Sequence, residues 1–276
     1  MTGTRYDLIG AWVQLGVFIG LLILLSLLEH FFARRHSANK GKRWIVNIGL
    51  IVTSTVTAQL VFPLATVALA LWTNAQGWGL FQFIHWPRSL EILLCLVLLD
   101  LAIYWQHRFF HMLPWLWRMH RVHHSDLDFD ASLGVRFHPF EIVLSKAYKL
   151  GLIALLGPSV IAVILYECLL LGFSLMTHSN IRLPLKLDKV LRFFFVTSDF
   201  HRVHHSVHRE ETNSNFGNIL SVWDHVFASY RAQPRDGHLA MTIGLTQFRA
   251  VTEQNLGALL VQPFRNIKKT PDAEHA

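Results

Sequence analysis

The chain has 276 residues, of which 52% are hydrophobic, and a mean hydropathy of +0.35, too apolar for an ordinary soluble globular protein. Its net charge is +7; the basic residues gather beside apolar runs with no basic-aromatic platform elsewhere, so the charge reads as membrane orientation and headgroup contact rather than nucleic-acid binding. Cys95 and Cys168 both fall inside apolar runs, which argues against a disulfide framework or a thiolate metal site.

Residues 11–32 carry no charge before Glu29 and are long enough to cross a hydrocarbon core of about 30 Å. Basic residues follow this run rather than precede it, the pattern of a membrane span and not of a cleaved leader. The Lys- and Arg-rich loop 33–44 comes next, then a second span from Ile45 to Trp72. Under the positive-inside rule that loop is cytoplasmic, which places the N-terminus and the loop 73–89 outside. A third span, Leu90 to Trp105, returns the chain to the cytoplasm and delivers His107 there. The last apolar run, 147–176, contains Gly157-Pro158 near its middle. A break there turns it into a hairpin that dips in and comes back, whereas a straight helix would carry the rest of the chain across the membrane. The expected fold is an all-α membrane protein with about four transmembrane helices in two hairpins and a cytoplasmic helical cap. It divides into N-terminal membrane helices (1–91), a catalytic region (92–230) and a C-terminal cytoplasmic tail (231–276), whose last residues from Lys268 are polar.

The hexamer HRVHHS occurs at 120–125 and again at 201–206. Each copy sets three histidines at i, i+3 and i+4, one helical face: His120, His123 and His124, then His201, His204 and His205. His107 and His111 share a face at the end of the third span. Clustered imidazoles repel one another when protonated and seldom persist without a partner, so the three boxes together indicate metal. Eight nitrogens exceed the needs of one ion, which implies two. His138 in RFHPFE and His178 in THSN flank the hairpin and emerge at the same surface. Asp100 lies seven residues before His107 on the same face, positioned to orient a ligating imidazole. His30, His36, His85, His238 and His275 are read as background, and His208 and His225 are left unassigned.

HRFFH, HRVHH and HRVHH in this order, preceded by DLAIYW and accompanied by RFHPFE, HSN, NSNFG and WDHVF, resemble the fatty acid hydroxylase/sterol desaturase superfamily of membrane-bound di-iron enzymes. The resemblance covers roughly residues 92–230. It implies that His107, His111, His120, His123, His124, His178, His201, His204 and His205 ligate iron, and that Asn215 and Asp224 support them. Some relatives have a further histidine one turn before the position of His178, where this chain has Ser174; His138 is expected to take that place.

All-nitrogen ligation suits iron or zinc. The location favours iron, because lipid C–H bonds need an oxidant rather than a hydrolytic water. The expected activity is the O2-dependent hydroxylation or desaturation of a fatty acyl, sterol-like or ether lipid. No nicotinamide, flavin, iron–sulfur or haem fingerprint is present, so electrons are expected from a separate ferredoxin or cytochrome with its reductase. Arg118, Arg121 and Arg202 are candidates for docking it. The expected location is an integral one, in the inner membrane if the source is bacterial, with the histidines on the cytoplasmic side. The alternative is a divalent-metal transporter or metal-binding membrane protein, which would place ionisable ligands near the bilayer midplane instead of at helix ends.

Overall fold

The computed structural model describes residues 2–37, 40–63, 65–84 and 86–266, and side chains from residue 10 onward. Its helices are α1 (Thr2–Phe32), α2 (Lys40–Val61), α3 (Thr66–Ala75), α4 (Arg88–Met112), α5 (Pro114–His124), α6 (Pro139–Leu156), α7 (Val160–Thr177), α8 (Leu185–Leu191), α9 (Ser198–His204), α10 (Arg209–Thr212), α11 (Val222–Val226), α12 (Gly237–Ala240) and α13 (Leu256–Val261). No strand occurs among the described residues. Four stretches are long and apolar enough to cross a membrane: Gly10–Phe32, Lys40–Gln82, Arg88–Met112 and Val160–Thr177. Large apolar side chains such as Trp12, Ile19, Ile23 and Leu27 stay exposed along α1, as expected where lipid replaces water. The chain is an integral membrane protein built entirely of helices.

The second span is broken where a single helix from Ile45 to Trp72 is expected. Pro63 has no N–H to donate and disfavours helix in the residue before it, so α2 stops at Val61 and α3 restarts at Thr66. The third span runs longer than its apolar stretch, to Met112, carrying His107 and His111 on its last turns.

Gly157 ends α6 in the left-handed region, at φ 59°. There the chain reverses, as Gly157-Pro158 suggests, but the hairpin is deeper than a dip. Its turn meets the connection after α3 at the far end of the bundle: Asn74 Nδ2 donates to Pro158 O at 2.7 Å and Gln82 Nε2 to Gly157 O at 2.7 Å. Both limbs therefore run the depth of the bundle, α6 packing along α2 and α3, and α7 along α1 and α4. A methyl on Gly157 would sit 2.0 Å from Trp78 O. Gly157→Ala is expected to lower stability by more than the roughly 1–2 kcal/mol that left-handed backbone alone costs. Thermal unfolding in detergent measures this, and an unchanged midpoint would contradict the close approach.

Inside the bundle Glu167 accepts hydrogen bonds from Gln14 Nε2 (2.7 Å) and Thr66 Oγ1 (2.9 Å) and pairs with Lys149 Nζ (3.2 Å). One carboxylate thus ties α7 to α1, α3 and α6, its charge met by a cation instead of lipid. Glu167 and Tyr166 also border a narrow apolar cavity between α4, α6 and α7, walled by Leu99, Ile103, Leu152 and Val163.

At the other end, the basic loop 33–44 is clamped to the cap. Arg43 reaches Asp126 (2.7 Å) and Asp130 (2.6 Å), and Arg34 reaches Asp199 (3.1 Å). Residues 231–266 are not a loose tail: Met241 and Ile243 join Phe129 and Leu133 in one buried cluster, and Leu259 packs with Leu50 and Val122. The stretch from Lys268 to Ala276 lies outside the described residues.

Candidate metal centre

Nine histidines converge in the cap. His107, His111, His120, His124 and His204 form one group, and His123, His178, His201 and His205 a second; within each, one ring nitrogen per residue lies within 4.8 Å of all the others. The helical spacing explains the partition. In α5, His120 and His124, one turn apart, face the first group, while His123 faces the second. In α9 and the residue after it, His204 serves the first group and His201 and His205 the second. Each hexamer therefore contributes to both groups. The groups abut, with the His124 and His205 rings stacked at 4.5 Å.

Hydrogen bonds on the outward nitrogens decide what the inward ones can do. His107 Nδ1 donates to Phe216 O (2.8 Å), His204 Nδ1 to Ser214 O (2.7 Å) and His178 Nδ1 to Ser174 O (2.6 Å). A carbonyl only accepts, so Nδ1 carries the proton in all three rings and Nε2 is left as a bare lone pair. His120 Nδ1 lies 2.6 Å from Glu141 Oε1, and with that carboxylate ionised the ring is fixed in the same way. Burial lowers the His120 and His178 pKa values to about 3, so both imidazoles are neutral at pH 7. His178 Nε2 then faces Nε2 of His123, His201 and His205 at 3.0, 3.1 and 3.2 Å. His107 Nε2 faces His120 Nε2 at 3.1 Å.

Lone pairs held this close in a water-poor interior are repulsive unless a cation lies between them. The separations match neighbouring ligands around an ion with metal–nitrogen bonds of about 2.1 Å. Consistently, His111 Nδ1 and Nε2, His124 Nε2 and His204 Nε2 are buried without a hydrogen-bond partner among the described residues. The residues therefore fit two ions, one per group. All-imidazole donors suit iron, zinc or copper and do not separate them.

Two of these three carbonyls, Ser214 O and Phe216 O, come from a loop that the motif NSNFG builds. Asn215 adopts the left-handed region, at φ 55°, which asparagine tolerates better than most residues. Its Nδ2 donates to Phe200 O and to Arg231 O, both at 2.9 Å, and its Oδ1 accepts from Arg231 N at 2.7 Å. Asp224, fully buried, accepts from Phe216 N and Gly217 N, both at 2.8 Å, and from Ser229 Oγ at 2.6 Å. These two side chains hold Ser214 O and Phe216 O against His204 and His107. Asp224→Ala strands three buried donors and is expected to cost on the order of 3 kcal/mol or more. Chemical denaturation of the detergent-solubilised protein tests it.

His138 does not join either group. As the residue before Pro139 it caps α6, its Nδ1 accepting from Phe140 N at 3.2 Å, and its Nε2 lies 3.1 Å from Leu260 O. Both nitrogens are engaged away from the centre, and Ser174, the position it was expected to replace, contributes its carbonyl to His178 instead. Asp100 does not orient an imidazole either. Its Oδ2 accepts from Trp223 Nε1 (2.8 Å) and Leu220 N (3.1 Å), pinning the start of α11 to α4. Glu141, four positions after Phe137 in RFHPFE, is the carboxylate that touches a clustered histidine; its only sequence signal was burial-prone placement beside the histidine boxes.

The arginines of the two hexamers are posts. Arg121 is 2% exposed and donates to Gln262 O and Arg265 O; Arg202 is fully buried, paired with Asp199 and lying over Phe129. Neither faces a docking partner. Arg118 donates to Pro263 O at 2.9 Å.

An all-helical membrane bundle capped by two abutting, buried, all-imidazole clusters defines a membrane protein of the histidine-box class, with two candidate metal sites. The fatty acid hydroxylase family model matches residues 92–229, and the chain belongs to that family. It is 28% identical over 217 residues to an ornithine lipid hydroxylase of Rhizobium tropici, covering 78% of this chain and 62% of that protein. It is 30% identical over 156 residues to the human alkylglycerol monooxygenase, covering 56% and 34%, and 24% identical over 150 residues to the rat cholesterol 25-hydroxylase, covering 54% and 49%. The chain thus spans less than two thirds of each of these relatives. No solved structure matches it.

Proposed function

We propose that the chain is an O2-dependent lipid hydroxylase whose nine clustered histidines hold two iron ions. The observation that carries the reading is the pair of abutting imidazole clusters, with bare nitrogens turned inward, at the end of an apolar bundle. Iron supplies the O2-driven oxidation that an unactivated C–H bond requires. The protein's part is to present neutral imidazoles, with Nδ1 protons fixed by Phe216 O, Ser214 O, Ser174 O and Glu141, and to keep water away. The clustered histidines act as ligands, not as acids or bases.

A lipid substrate follows from the setting and from the relatives, all named for hydroxylation or monooxygenation; hydroxylation is therefore favoured over desaturation. Electrons come from a separate one-electron carrier, because the chain has no redox fingerprint of its own. The basic loop 33–44 is clamped to the cap, which supports a cytoplasmic position for the histidines under the positive-inside rule.

Two experiments test this. Metal analysis of anaerobically purified protein should find about two irons per chain; a metal-free active protein would sink the reading. Lipidomics of cells producing the wild-type chain should show a lipid class heavier by one oxygen atom, missing from cells producing His123→Ala. Identical lipid profiles in the two strains would remove the hydroxylase reading while leaving the metal site to be judged by the first experiment.

A further inference from the structure

The end of the bundle opposite the histidines carries a polar pocket, which the metal chemistry does not use. A cavity of about 230 Å³ opens where the connection before α4 meets the α6–α7 turn, lined by Asn74, Gln82, Trp86, Arg88, Glu91 and Ser159 among others. The N-termini of two long helices, α4 at Arg88 and α7 at Val160, converge on it, so both direct partial positive charge and free N–H groups toward this end.

The side chains add donors. Ser159 stands at the N-cap of α7, yet its hydroxyl makes no cap hydrogen bond; the residue is 2% exposed and Oγ has no partner among the described residues. The Trp86 indole N–H is buried and equally without a partner among them. The Arg88 side chain is 70% exposed and reaches only Glu91, at 3.4 Å. Glu91 Oε1 is already taken, accepting from Ser159 N at 2.7 Å, and Gln82 Nε2 is committed to Gly157 O. What remains free is a hydroxyl, an indole N–H and most of a guanidinium. A ligand that satisfies them is rich in acceptors and anionic, the chemistry of a phosphate.

The source of that phosphate follows from the rim. Ile84 and Phe81 line the pocket, and Trp78, Leu80, Phe83 and Ile84 are exposed along the same connection, an apolar and aromatic stretch of the kind that sits at headgroup level. We propose that this pocket binds the phosphate of a glycerophospholipid from the leaflet opposite the histidine clusters. The site is independent of the hydroxylase reading, since no clustered histidine takes part.

The test uses the full-length protein in mild detergent and native mass spectrometry, with dioctanoyl phosphatidylglycerol, dioctanoylglycerol and inorganic phosphate as probes. Wild-type protein should retain the phosphatidylglycerol and not the phosphate-free dioctanoylglycerol, and inorganic phosphate at equal concentration should not displace the bound lipid. Arg88→Gln and Ser159→Ala should each weaken binding by about tenfold, as loss of a hydrogen bond to an anion predicts, and Arg88→Lys should recover part of it. The thermal unfolding midpoint should be unaltered in all three variants, which reports that they fold. Equal binding of dioctanoylglycerol, or unchanged binding in both Arg88→Gln and Ser159→Ala, would overturn the phosphate site. Displacement by inorganic phosphate would overturn the lipid as its occupant.

Discussion

His205→Ala is expected to bring the metal content from about two per chain toward one, and to reduce product formation by more than the 10–100-fold that loss of an outer hydrogen-bond partner costs. Among the described residues the second cluster is made of His123, His178, His201 and His205, so the variant leaves three of these nitrogens. The hole cannot close, because His205 is 1% exposed and wedged between the His124 and His178 rings. His111→Ala makes the internal comparison. It belongs to the group of five, leaves four nitrogens in place, and should lose less metal. Elemental analysis of the two variants beside the wild type, together with product measurement, reads the difference. Two metals retained in His205→Ala would remove this residue from the ligand set.

Glu141→Ala should weaken retention of one metal by roughly 10–100-fold. The carboxylate is 4% exposed and its Oε1 holds His120 Nδ1 at 2.6 Å. Without it the ring loses the acceptor that keeps Nε2 bare and turned inward. Glu141→Gln keeps a neutral acceptor at the same place, so its loss should fall well short of alanine's. Metal release into a chelator, followed over time, separates the two variants from a general loss of stability, which thermal unfolding reports independently. If the alanine variant holds metal as firmly as the wild type, Glu141 has no orienting role.

Helical periodicity made most of the centre legible. Histidines at i, i+3 and i+4 lie on one face whatever surrounds them, and the structure brings together nine of the ten that the spacing and the resemblance single out. His138 misled because its position beside the hairpin resembles that of His178, while the proline after it makes it a helix cap. The groups that orient the rings were mostly invisible in advance. Ser174 O, Ser214 O and Phe216 O are backbone atoms, and no residue type announces a carbonyl; only the left-handed Asn215 and the buried Asp224 hint that the loop is specially held. The hexamer arginines misled for a related reason: composition shows a cation, and only packing shows whether it faces water or a ring of carbonyls. In the bundle, Gly157-Pro158 marked the reversal correctly, but the depth of the hairpin depended on a contact with the connection after α3, more than 70 positions away in the chain.

The grip of Arg121 on Gln262 and Arg265 also sets an order of events. Those carbonyls lie 141 and 144 positions further along the chain. During synthesis, which delivers the chain from its N-terminus at about 5–20 residues per second, α5 emerges many seconds before the carbonyls that accept from its buried guanidinium. Until they arrive Arg121 must stay hydrated, and the helix bearing His120, His123 and His124 cannot seat fully. The first histidine box is thus made early, and a chain that stops before residue 262 is expected to leave α5 without the carbonyls that hold Arg121.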